Sequence, residues 1–186
     1  MSAKRWVVTA LGGDKPGIVA GVTEVLYGLG CNLEDSAMTR LEGEFAIMLI
    51  FSAPPAVSDK KLADAFAPLE KKLKLVIHLK PLSASESRTP AASTAPHVIS
   101  VYGADRPGIV FRVSQALAKA KVNITDVQTH RSQAAKASSG PSLYMLLLEV
   151  ELPRGLTPQA LEKTLKALAS ELGVEVSVRS AEANVL

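Results

Sequence analysis

One hexapeptide occurs twice, and this constrains the fold more than any other feature of the chain. Asp14-Lys15-Pro16-Gly17-Ile18-Val19 returns 91 residues later as Asp105-Arg106-Pro107-Gly108-Ile109-Val110. At the same shift Val22 meets Val113, Leu26 meets Leu117 and Asn32 meets Asn123, so that 8 of the 21 positions in 14–34 match 105–125. Agreement over that length means two copies of one module. A chain of 186 residues therefore holds two units of about 80 to 90 residues each.

Each copy of the motif joins a strand-like run to a helical pattern. Trp6-Val7-Val8-Thr9-Ala10-Leu11 precedes the first and His97-Val98-Ile99-Ser100-Val101-Tyr102 the second, both rich in β-branched residues. After the motif the apolar period changes. Ile18, Val22, Val25, Leu26 and Leu29 mark one stripe of a helix, and Ile109, Val113, Ala116 and Leu117 repeat it.

The motif's chemistry suits a helix start. Pro16 and Pro107 are expected in the first turn, where a missing N–H does no harm. Lys15 and Arg106, preceding proline, are pushed toward extended geometry. Gly17 and Gly108 lack a Cβ, so another molecule can approach the backbone closely. The unpaired N–H groups and the positive end of the helix dipole then suit a small anion or carboxylate. Asp14 and Asp105 would repel a bare anion but would accept the amine of a zwitterion. The competing expectation is that each Asp simply caps its helix.

The rest of the first module reads in order. Gly28 and Gly30 stop the helix, Asn32 to Arg40 forms a polar-leaning strand, and Phe45 to Phe51 is a continuous apolar run that fits a central strand. Ser58 caps a second helix carrying Leu62, Phe66, Leu69 and Leu73, with a kink or early end expected near Ala67 because of Pro68. Leu75 to Leu79 is the last strand.

Residues 81–96 contain three Pro, four Ser, two Thr and four Ala without periodicity, and read as a linker. The boundaries follow: a first module at 1–80, the linker, and a second module at 97–186. In the second module Asn123 to Arg131 and Leu143 to Leu152 are strands. Thr157-Pro158 opens a helix with Leu161, Leu165, Leu168 and Leu172, and Gly173 ends it before a strand at Val174 to Val178. The leucines stand at a shift of 99 from their counterparts, so eight extra residues are expected between the module's two helices. They fall most naturally in 132–142, as an exposed mobile loop. Each module thus reads β-α-β-β-α-β, an α+β ferredoxin-like unit with a four-stranded antiparallel sheet and two helices on one face.

A strand, a D-[KR]-P-G-I-V turn, a helix and [CV]-N-[LI] opening the next strand resemble the ACT domain, an amino-acid-sensing regulatory module. Two copies with no catalytic domain attached are similar to the glycine cleavage system transcriptional repressor family. The resemblance implies a ligand site at the turn after the first strand, shared with a neighbouring module's second strand. It falls on Asp14, Lys15, Pro16, Gly17, Ile18 and Asn32, and on Asp105, Arg106, Pro107, Gly108, Ile109 and Asn123. Asn32 and Asn123 are expected close to that turn, where an amide bonds a carboxylate or amine, unless each merely serves a tight turn. Turns of the serine type often carry Asn where this chain has Asp, which leaves the choice of ligand open between glycine and serine. The resemblance also implies action on transcription through an activator protein rather than by contact with DNA, and it leaves a homodimer open.

Other chemistry is sparse. His78, His97 and His130 have no companions at metal-ligand spacing, Cys31 is expected as a buried thiol in a reducing compartment, and no phosphate-binding loop is present. Neither an enzyme, a metal nor a cofactor is expected. A net charge of +3 and the lysines at 60, 61, 71, 72 and 74 fit a solvated helix face rather than a nucleic-acid surface. No apolar run reaches the roughly 18 residues of a membrane span, so the expected address is the cytoplasm. Two other functions fit the sequence: a detached amino-acid-binding subunit of a metabolic enzyme, and a scaffold that binds partners without any ligand.

Overall fold

The computed structural model describes residues 3–83, 95–132 and 142–181. The chain divides into two compact units, Met1–Arg88 and Thr89–Leu186. The first runs β1 (Lys4–Gly13), α1 (Ile18–Gly28), β2 (Asn32–Leu41), β3 (Glu44–Ala53), α2 (Asp59–Leu73) and β4 (Val76–Pro81). The second repeats it as β5 (His97–Ala104), α3 (Ile109–Lys119), β6 (Asn123–Ser132), β7 (Leu143–Glu151), α4 (Pro158–Leu172) and β8 (Val174–Ser180). Both sheets are antiparallel, in the orders β2-β3-β1-β4 and β6-β7-β5-β8. The two ferredoxin-like modules expected from the sequence are present.

The helical stripe and the strand alternation meet in one core per module. Trp6, Val8 and Ala10 of β1 pack with Ile18, Val22 and Leu26 of α1, with Leu49 and Phe51 of β3 and with Leu62 and Phe66 of α2. Ile99, Val101, Ile109, Val113, Leu117, Leu146, Leu148, Leu161 and Leu165 fill the second core. Each residue buries one aliphatic or aromatic side chain, worth about 1.5–3 kcal/mol for the larger ones. The continuous apolar run at Phe45 to Phe51 is central in its sheet, but burial alternates along it. Phe45, Ile47, Leu49 and Phe51 face the helices, whereas Met48 on the other face is 52% exposed. No helix of the first unit's described residues covers that side, so within this unit the run is not buried on both faces as a central strand in a layered sheet would be.

α2 is capped by the Ser58 side chain, which accepts the Lys61 N–H, and runs through Pro68 to Leu73. The early end expected near Ala67 does not occur. Pro68 is exposed, so water is at hand for the Asp64 carbonyl that loses its helical donor, and Leu62, Phe66 and Leu69 hold the flanking turns against the core. α4 is capped in the same way by Thr157, with Pro158 in its first turn.

The change of shift from 91 to 99 is visible in the hairpins. Leu41 pairs with Glu44 across two residues, and Ser132 pairs with Leu143 across ten, a difference of eight. The extra residues therefore lie between β6 and β7, while their expected mobility falls on 133–141, outside the described residues. Most of the expected linker falls outside them as well. Pro81 still closes β4, and the N–H of Leu82 donates to the Arg5 carbonyl.

Candidate functional site

β1 delivers Asp14 to the corner where the β2–β3 hairpin turns. The Asp14 N–H donates to the Gly43 carbonyl at 2.8 Å, and the Asp105 N–H donates to the Ser142 carbonyl at the same distance. Lys15-Pro16-Gly17-Ile18 then forms a type II turn: proline presets the second position, and Gly17 takes φ 93° and ψ −3° at the third. Gly108 does the same at φ 94° and ψ −5°. The prolines accordingly stand before the helix cap and not in the first helical turn. Gly17 is itself the cap residue, and its carbonyl accepts the Gly21 N–H at 2.8 Å; Gly108 accepts that of Arg112 at 2.9 Å.

A Cβ on either glycine would meet nothing within 4 Å. The sign of φ requires glycine here, and the space beyond it is open. No side chain caps α1 or α3, in contrast to α2 and α4. Among the described residues, the N–H groups of Ile18 and Val19, and of Ile109 and Val110, are therefore without a side-chain acceptor. The Ile18 and Ile109 side chains lie in the cores, so these two residues offer a ligand only their backbone.

The aspartates do not cap their helices either. Asp14 Oδ2 pairs with Nη1 of Arg40 at 3.2 Å, and Asp105 Oδ2 pairs with Nε of Arg131 at 2.7 Å. Sequence reasoning missed these arginines, though a signal was present: they stand 91 residues apart, at the shift that defines the repeat. Lys15 is exposed. Arg106 instead reaches the last turn of α4, where its Nη1 donates to the Leu172 carbonyl at 3.5 Å, against the negative end of the helix dipole.

Neither asparagine lies beside the turn of its own module. Asn32 pairs with Ser52, and Asn123 with Glu151, to which its amide donates at 3.1 Å. Both positions sit at the end of the sheet where β1 and β5 begin, whereas the turns lie where those strands finish. A ten-residue strand separates each amide from its own module's turn by roughly 30 Å. Antiparallel pairing is the reason: the start of the second strand lies beside the start of the first.

The other candidates are dispersed. His78 and His130 are exposed on strands, while His97 is buried at the position equivalent to Trp6. Among the described residues no group of three or more His, Cys, Asp or Glu side chains could hold a metal. Cys31 is half-buried rather than buried, and that burial pushes its thiol above the ordinary range. Lys71 and Lys72 lie in the last turn of α2, where they complement the helix dipole. No helix among the described residues is long and apolar enough to cross a membrane. A groove of about 380 Å³ between α1 and α2 is floored by Val25, Leu29 and Leu69, and one of about 450 Å³ lies between α3 and α4. Neither is lined by a residue of the turns.

The ACT domain model matches residues 4–80 and 96–179. The glycine cleavage system transcriptional repressor of Escherichia coli strain K12 is 31% identical over 178 residues, covering 92% of this chain and 87% of the relative. The Shigella flexneri protein of the same name matches with the same identity and coverage. Among solved structures, an unknown protein from Galdieria sulphuraria superposes with a TM-score of 0.80 at 28% identity, over 97% of this chain and 99% of that one. The chain is thus a tandem ACT-domain protein of the glycine cleavage system transcriptional repressor family, a regulatory protein and not an enzyme.

Proposed function

We propose that this protein senses a small amino acid, glycine or serine, at the turn joining β1 to α1 and its counterpart joining β5 to α3. Occupancy modulates transcription through a protein partner in the cytoplasm. The observation that carries this reading is the likeness to a glycine cleavage repressor along nearly the whole chain. The turn geometry supports it. Two helix starts without side-chain caps stand beside open space, each with a carboxylate at its edge. A ligand carboxylate takes the N–H groups at the helix start, and its ammonium takes Asp14 or Asp105. Lys15, Pro16, Gly17, Ile18 and their counterparts from Arg106 to Ile109 form the backbone of that site. Asn32 and Asn123, each at the far end of its own sheet, join such a site only from a neighbouring module's second strand, the sharing that the family resemblance implies.

Binding acts on a partner only through differential affinity for two states of the protein. The test is a panel of the common amino acids against the intact chain, read as thermal stability. A ligand at about 100 times its Kd adds roughly 2.7 kcal/mol per site. A rise with glycine or serine alone is the expected result. A flat response to every amino acid would sink the sensor and leave a ligand-independent scaffold.

A further inference from the structure

Each turn's carboxylate is held by an arginine from the last residues of the module's second strand. Asp14 pairs with Arg40, and Asp105 with Arg131. Over 32–41 and 123–132 only three of ten positions agree, and this arginine is one of them. Stability does not account for its recurrence, because half-exposed ion pairs of this kind contribute little. The exposure is uneven: the arginine side chains are 65% and 67% exposed, the aspartates 33% and 26%. Each guanidinium pairs with its aspartate through one nitrogen among the described residues and is about two thirds exposed, so the five-donor group is within reach of a ligand from solvent.

We infer that the Asp14–Arg40 and Asp105–Arg131 pairs are complements to a zwitterion, in which the arginine joins the N–H groups of the helix start on the ligand carboxylate and the aspartate takes its ammonium. Arg40 and Arg131 are then the residues that select free α-amino acids over simple amines and simple acids. This rests on the turn site proposed above. A zwitterion exchanges one internal ion pair for two external ones and leaves no charge without a partner. An amine alone would take the aspartate and strand the arginine, and an acid alone would do the reverse, so each forfeits part of the gain.

The experiment is titration calorimetry on the intact chain with glycine, serine, glycinamide, serinamide and acetate. The wild-type protein is expected to bind the free amino acids about tenfold or more tightly than their amides or acetate. In the R40Q/R131Q variant, affinity for the free amino acids should fall by about tenfold or more while that for the amides, which no longer strand an arginine, holds or rises, erasing the preference. An equal fall for both classes, or an unchanged affinity for glycine and serine, would overturn the role of the arginines and leave the turn site standing. Failure of the wild-type protein to bind either amino acid would overturn the site and this inference together. The R40K/R131K variant, which keeps the charge and loses the fork, guards against a folding defect. It should retain the preference at reduced affinity, and loss of preference in a folded R40K/R131K protein would count against the inference.

Discussion

Gly103 faces Val174 across the β5–β8 pairing with no room for a side chain: a Cβ there would lie 2.8 Å from Val174 Cγ1 and 3.0 Å from its Cα. Its counterpart Gly12 would meet Leu75 Cδ2 at 2.9 Å and the Lys74 carbonyl at 3.0 Å. These glycines let the strand before each turn close tightly on the chain that leaves the second helix. Both replacements with alanine should destabilise the protein. Both meet backbone at 3.0 Å, but the Leu75 tip swings aside more readily than the β-branched Val174 side chain, so Gly103→Ala is expected to cost about 2–3 kcal/mol and Gly12→Ala about 1–2. Urea denaturation of the two variants measures the order, and a larger loss for Gly12→Ala would contradict it.

Lysine occupies two left-handed positions that glycine fills in the other module. Lys74 has φ 56° where the second module has Gly173, and Lys121 has φ 57° where the first has Gly30. A left-handed backbone costs a lysine roughly 1–2 kcal/mol, and glycine gives back about half of the relief through its freer unfolded chain. Lys74→Gly and Lys121→Gly should each add about 0.5–1 kcal/mol, a rise of several degrees in melting temperature for a domain of this size. Unchanged or lowered melting temperatures would show that the lysine side chains contribute something the backbone argument omits.

At the turns themselves the cost is conformational. Gly17→Ala and Gly108→Ala introduce a Cβ into open space at φ 93° and 94°, so strain rather than collision should destabilise them, by about 1–2 kcal/mol. Asparagine tolerates positive φ better, and Gly17→Asn and Gly108→Asn should lose less. Equal losses for the two substitutions in thermal melts would argue that the turn tolerates no side chain at all.

Cys31 gives a chemical readout of burial. Desolvation raises its thiol above the ordinary value of 9.0, so less thiolate is present at any given pH. Alkylation near pH 8 should run slower than for a free thiol and catch up in denaturant. The linked stability has a definite sign. A raised folded value means that its contribution is complete below pH 9 and is lost as pH climbs through the folded pKa. Rapid alkylation of the folded protein would place Cys31 in a more open setting than its packing against the first core indicates.

Most of the fold could be read from residues close together in the chain. The repeat gave the module, Ser58 and Thr157-Pro158 marked helix starts, and the leucine spacing at 99 located the longer hairpin, because periodicity, capping and turn chemistry act over a few residues. Local reasoning erred where packing outweighed propensity. Pro68 stays within α2 because the apolar residues on both sides of it are held by the core. The exposure of Met48 was hidden because an apolar residue reads the same on either face of a sheet.

The candidate site divides in the same way. Sequence alone determined the Pro-Gly turn, its glycine backbone and the acidic residue beside it, all within six consecutive residues. Tertiary structure decided which distant groups gather there. Antiparallel register brings Arg40 to Asp14 across 26 residues of chain and, by the same rule, carries Asn32 to the opposite end of the sheet. Strand pairing fixes such neighbours through direction and register, which no short stretch of sequence contains.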